Sequence, residues 1–146
     1  MPSDTSDVST WLKEFEAAVR ARDFDTGRRM FAQDAVAFGT WARAVSGLDN
    51  IVREQWQNVW PRIRNFTFEP PAVGGSSTDT AWIAASWWSD ATGPDGTPFQ
   101  RHGRATFVLG RRDGKWVAVH SHVSLLPTQG ETAHGRLPGA DKSPAA

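Results

Sequence analysis

Arg111-Arg112-Asp113-Gly114-Lys115-Trp116-Val117-Ala118-Val119-His120-Ser121-His122-Val123-Ser124 is the stretch on which the fold is read. Asp113-Gly114 carries turn chemistry, and the valine-rich run after it carries strand chemistry. Side chains alternate across a strand, so Trp116, His120, His122 and Ser124 share one face and Val117, Val119, Ser121 and Val123 the other. The preceding run, from Phe99 to Gly110, has the same chemistry, so the two form a hairpin whose loop length decides which residues are neighbours.

A two-residue turn at Asp113-Gly114 pairs 112 with 115 and mixes apolar with polar residues on both faces of a regular ladder. A three-residue loop with Gly114 left-handed pairs 111 with 115 and 107 with 119. One face then holds Ala105, Phe107, Leu109, Val117, Val119, Ser121 and Val123. The other holds His102, Arg104, Thr106, Val108, Trp116, Ala118, His120, His122 and Ser124. The second register separates apolar from polar better and is the expected one. Helices with apolar stripes of their own should cover the apolar face.

Such helices precede the hairpin. Leu12, Phe15 and Val19, with Trp11 and Ala18, recur at helical spacing within 9–22. A short second helix capped by Asp25 or Thr26 runs to Ala32. Residues 35–41 read as a strand. Ser46-Gly47-Leu48-Asp49 resembles a capping box opening a third helix that presents Ile51, Val52, Gln55, Trp56, Val59 and Trp60 and stops at Pro61. Strands follow at roughly 64–70, 79–91, 99–110 and 115–126 by pattern. The expected fold is α+β: a strongly curved antiparallel sheet wrapped around three N-terminal helices. The expected organisation is a flexible segment at 1–8, one domain at 9–127 and a disordered tail at 128–146.

Composition narrows the function. The chain has 146 residues, with 16 basic against 16 acidic side chains. A net charge of zero gives no support for nucleic acid or an acidic membrane as partner. The absence of cysteine removes disulfides, zinc-thiolate sites and cysteine nucleophiles. No apolar run has membrane-spanning length and no signal peptide opens the chain, so a cytoplasmic protein is expected. With eight Trp, eight Phe and no Tyr, the aromatic surface is almost purely apolar.

The helices, the Ser46-Gly47-Leu48-Asp49 helix start and the strand meander together resemble the nuclear transport factor 2-like superfamily. This includes SnoaL-like polyketide cyclases and ketosteroid isomerase. The strand carrying Trp116, Val119, His120, His122 and Ser124 is similar to the association domain of calcium/calmodulin-dependent protein kinase II. The resemblance covers about residues 9–127 and implies a cone with an internal pocket and an outer sheet face that forms dimers. The isomerase's tyrosine, base and protonated aspartic acid fall on Phe15, Gly39 and about Ala105, none of which can move a proton. The association domain's anion-binding arginines fall near Trp87 and on Phe107 and Val123, and its histidine near Ile51. All are apolar, so neither chemistry carries over.

Two site readings follow. An aromatic-lined pocket would be built by Phe15, Phe38, Trp41, Trp56 and Trp60, with Trp87, Phe107, Val119 and Val123 from the sheet. Gln55, Thr40, Ser89 and Ser121 are its candidate polar anchors. The opposite face, with Trp82, Trp88, Arg104, Trp116, His120 and His122, reads as a dimer interface. His120 and His122, two apart on one face, could chelate a metal with His102 or Asp34 as a third ligand, but no spacing motif supports one. No metal or cofactor is expected. His120, His122 and Arg104 are also the catalytic candidates, provided a bulge turns a histidine inward. Arg101 and Arg104 otherwise read as solvated or interfacial. The leading function is binding of a small, largely apolar or aromatic molecule in the cone. The alternatives are an isomerase, cyclase or hydratase acting on such a molecule, and an oligomerisation module with a filled cone.

Overall fold

The computed structural model describes residues 5–127, with side chains from Asp7 onward. The tail expected at 128–146 lies outside the described residues. Three helical segments precede or interrupt a six-stranded sheet of order β2-β1-β6-β5-β4-β3. The strands are β1 (Phe31–Phe38), β2 (Val45–Ser46), β3 (Ile63–Ser76), β4 (Thr80–Thr92), β5 (Pro98–Arg112) and β6 (Lys115–Leu125). The curved α+β architecture is the expected one. The sheet is mixed rather than wholly antiparallel, because β1 lies parallel to β6 while the other pairs are antiparallel.

Helix α1 (Thr5–Ala21) starts four residues before the expected position. Val8 joins Trp11, Leu12, Phe15, Ala18 and Val19 on its buried face. Helix α2 (Phe24–Arg29) is capped by Asp23, not by Asp25 or Thr26. The Asp23 carboxylate accepts from the Thr26 backbone N–H at 3.1 Å and from its hydroxyl at 2.6 Å. Those bonds hold the Asp23 carboxyl below its ordinary pKa.

The third helix starts as α3 (Leu48–Ile51) and continues through a π turn at Val52–Trp56. No capping box forms. Gly47 is the cap residue, Ser46 belongs to β2, and Asp49 pairs with Arg28 at 2.6 Å. Arg22 ties the end of this helix to the first one, donating to the Trp60 and Ile63 carbonyls.

The final hairpin differs from the expected register in an instructive way. Arg112 pairs with Lys115 across a two-residue turn, with Asp113 and Gly114 at φ +52° and +77°. Both central residues are left-handed, the geometry of the hairpin turn that Asp-Gly favours. The extra residue that the expected loop absorbed lies instead inside β6. Leu109 pairs with Ala118 and Val108 with His120, which leaves Val119 as a bulge. Beyond the bulge, Phe107 faces Ser121 and Ala105 faces Val123, so these four share the concave side and His120 and His122 the convex side. Before the bulge the expected facing reverses. Ala118 joins buried Leu109, and Trp116 packs against the core rather than standing beside the histidines.

Candidate functional site

The concave face of the sheet is set by β4 and β5. Ala81, Ile83, Ala85, Trp87, Ser89 and Ala91 alternate inward on β4, and their β5 partners Leu109, Phe107, Ala105, Gly103, Arg101 and Phe99 continue the parity. Phe15 from α1 and Trp56 and Trp60 from the third helix pack onto this face. Trp56 and Trp60, one turn apart, stack at 4.6 Å, and Phe15 reaches Phe107 at 5.4 Å. The packing leaves a cavity of about 50 Å³. A single water needs roughly 10–15 Å³ by such a measure, so this is a real chamber, although a narrow one.

Of the residues expected in a pocket, Phe15, Gln55, Trp56, Trp60, Trp87 and Phe107 line the cavity, joined by Ser121, Val123 and Thr40. Three do not. Phe38 stands on the convex face with its ring 5.1 Å from that of His120 and 5.2 Å from that of His122. The parity of β1 beside β6 places it there. Val119 is the bulged residue and lies beside Gly110. Trp41 lines an outer recess of about 240 Å³, with the Arg62 guanidinium 5.2 Å from its ring. Ser89 is buried outside the cavity lining, its hydroxyl without a partner among the described residues.

Two polar groups in the wall are seated by glycines. A Cβ at residue 39 would collide with the Gln55 carboxamide, so Gly39 gives that amide its place. Gln55 is buried and its Oε1 accepts no hydrogen bond among the described residues. A Cβ at residue 103 would collide with the Trp87 indole and with the Ser124 carbonyl oxygen. Gly103 therefore lets the indole lie against β5, where its Nε1–H is buried and has no partner among the described residues. Buried polar groups are paired in the great majority of cases, so two orphans lining one chamber are unusual.

Sequence reasoning missed the one ionisable side chain that the described residues place in this wall. Arg101, read as solvated or interfacial, lines both the inner cavity and the outer recess. Its Nη2 donates to the Thr40 hydroxyl at 2.9 Å, and its guanidinium lies 5.5 Å from the Trp87 ring centroid. Burial pulls its pKa down from the ordinary value. The signal was available in the alternation of β5: Leu109, Phe107, Ala105 and Gly103 share a parity that ends on Arg101.

The catalytic candidates lie elsewhere. His120 and His122 are on the convex face, and His120 Nδ1 donates to the Val36 carbonyl at 2.8 Å. Arg104 is exposed and reaches the Ser124 hydroxyl at 3.4 Å. The bulge at Val119 precedes both histidines and sets them opposite Val108 and Thr106, on the convex side. Among the interface candidates, Trp82 is exposed opposite Val108, and Trp88 is half-buried opposite His102. Trp116 is the exception, stacked under Arg111 at 4.0 Å. Asp34 pairs with Arg112 at 3.7 Å. Among the described residues, no three His, Asp or Glu side chains are gathered as a metal site. None of their helices is long and apolar enough to cross a membrane.

The family model of the SnoaL-like domain matches residues 8–129. The chain belongs to the SnoaL-like domain family. No curated protein matches it in sequence. The fold is that of a nuclear transport factor 2-like superfamily protein from Salmonella enterica serovar Typhimurium. That protein is 16% identical, with a TM-score of 0.74 over 86% of this chain and 93% of the other. A ketosteroid isomerase-like protein from Erwinia carotovora atroseptica is also 16% identical, with a TM-score of 0.75 over 88% and 100%. The association domain of the Caenorhabditis elegans calcium/calmodulin-dependent kinase II is 17% identical, with a TM-score of 0.65 over 82% and 94%. At these identities the likeness concerns the fold. The SnoaL-like fold is one on which ligand-binding and enzymatic members both occur, and the site has to decide between them.

Proposed function

We propose that this SnoaL-like domain binds a small, largely apolar or aromatic molecule between the concave sheet face, α1 and the third helix. The observation that carries this reading is a chamber with aromatic walls whose buried polar atoms, Gln55 Oε1 and Trp87 Nε1, have no partner among the described residues. Ligand sites have this character: apolar lining with a few placed polar groups. The inner volume of about 50 Å³ is about a third of that of a cavity that takes up benzene, so a ring enters only as the aromatic wall gives way, with the rest of the molecule in the outer recess beside Trp41.

An isomerase, cyclase or hydratase reading finds less support. The residues lining the chamber include no carboxylate, histidine, lysine or tyrosine, so no side chain there is suited to take a proton at neutral pH. The narrowness of the chamber favours a different second reading, an oligomerisation module with a nearly filled cone. Trp56, Trp60 and Trp87 line the chamber, so tryptophan fluorescence separates these readings. Saturable quenching or a spectral shift with single-ring ligands is expected. A flat response across a panel of them would leave the filled-cone module.

The convex face supports a second copy of this chain as partner. Trp82, Phe38 and Val36, 44%, 38% and 36% exposed, form an apolar strip with His120 and His122 across neighbouring strands. Sedimentation should show a dimer that Trp82→Glu weakens. A monomer at all concentrations would remove this part of the reading.

A further inference from the structure

Arg101 combines partial burial with the lack of an acidic partner among the described residues, whereas Arg64 and Arg104, which also bond a single hydroxyl, are exposed. Arg28, Arg20 and Arg112 each face a carboxylate, and Arg22 donates to two backbone carbonyls. Arg101 is half-buried, has no acidic partner among the described residues, and uses its guanidinium in one hydrogen bond to Thr40. A guanidinium offers five N–H donors in a planar fork, so most of this fork is free. The acid closest along β4, Asp90, faces the other side of the sheet and accepts from Asn65 and Gln100.

The surroundings have one sign of charge. Among the described residues, neither the chamber nor the outer recess is lined by any Asp or Glu, whereas Arg101 lines both and Arg62 lines the recess. The chain as a whole is neutral, so this imbalance is local. A partly desolvated cation without a counter-charge is costly, and the cost is recovered when an anion pairs with it. Beside it lie the unpaired indole N–H of Trp87 and the carboxamide of Gln55, both buried and both in the chamber wall.

We propose that Arg101 makes this pocket selective for a small monocarboxylate with a single apolar ring. The carboxylate meets the Arg101 fork where chamber and recess join. The ring lies against the aromatic wall, and the Trp87 indole N–H and Gln55 amide contact the ligand's remaining polar atoms. The proposal deepens the reading of the chamber as a ligand site and depends on it. The positions that match the association domain's anion site are Phe107, Val123 and about Trp87, all apolar here.

The test is tryptophan-fluorescence titration of the full chain with benzoate and, separately, with the neutral isostere benzamide. The wild type is expected to bind benzoate about 10- to 100-fold more tightly, the range for a charge-assisted pair formed away from bulk water. Arg101→Met should collapse that preference to a few-fold or less while benzamide binding persists. Arg101→Lys keeps the charge but loses the fork and should fall between the two. It also keeps the test decisive if the Met variant fails to give a native thermal melt. Equal wild-type affinity for the two ligands, or a preference that survives in Arg101→Met, overturns the carboxylate assignment and leaves the ligand site standing. Binding of neither ligand removes both.

Discussion

Asp113 offers a test of the hairpin in which two competing geometries predict opposite signs. In the structure Asp113 and Gly114 both have positive φ, +52° and +77°. A non-glycine residue in the left-handed region costs roughly 1–2 kcal/mol, at the lower end for Asp, and a β-branched residue fares worst there. Asp113→Val should therefore destabilise by about 1–2 kcal/mol. Asp113→Gly removes the left-handed cost but adds about 0.5–1 kcal/mol of backbone entropy to the unfolded chain, so it should be neutral or mildly stabilising. The side chain is exposed and makes no ion pair among the described residues, so packing does not confuse the comparison. In the three-residue loop only Gly114 would be left-handed. Asp113→Gly would then cost about 0.5–1 kcal/mol, and Asp113→Val would be tolerated. Urea unfolding of the two variants reads the difference directly. A tolerated Val and a destabilising Gly would refute the two-residue turn, and with it the bulge at Val119 and the facing of Trp116, Val117 and Ala118.

Other consequences are less elaborate. Phe107, 1% exposed and in ring contact with Trp11, Phe15 and Phe68, should cost about 3–5 kcal/mol when changed to Ala, read as a lower urea midpoint. Gly39→Ala should push the Gln55 carboxamide from its seat, weakening ligand binding in a fluorescence titration more than it lowers the thermal midpoint. Asp23 has a lowered folded pKa. Its contribution is full above the ordinary carboxylate pKa and is lost as pH falls through the lowered value, so Asp23→Asn should flatten the acid limb of stability against pH.

Much of this fold could be read from spacing. The stripe of Trp11, Leu12, Phe15 and Val19, the third-helix set from Ile51 to Trp60, and the alternation of Ala81 to Trp87 all face as their periodicity requires. These elements bury one side, and burial forces the pattern. The hairpin was harder because a turn residue and a bulge residue produce the same shift of faces. Patterning beyond residue 120 can detect that one residue is extra, but not whether it lies at 112 or at 119. Trp116 and Ala118 were placed on the wrong side for that reason. Long-range pairing hid Phe38 in the same way. Its side follows from the parallel neighbour β6, and local alternation says nothing about which strand lies alongside. Arg101 shows a different limit. Its parity pointed inward, but a charged residue is ordinarily assigned to solvent, and polar side chains that break that rule are concentrated at sites.

The central claim is that ligand chemistry lies on the Ser121 side of β6 and not on the histidine side. Benzoate affinity measured in parallel for Ser121→Leu and His122→Ala tests it most directly. Leucine at 121 should fill most of the chamber and abolish the fluorescence response, while loss of the His122 imidazole should leave it within a few-fold of wild type. The reverse result, with binding kept in Ser121→Leu and lost in His122→Ala, would contradict the account.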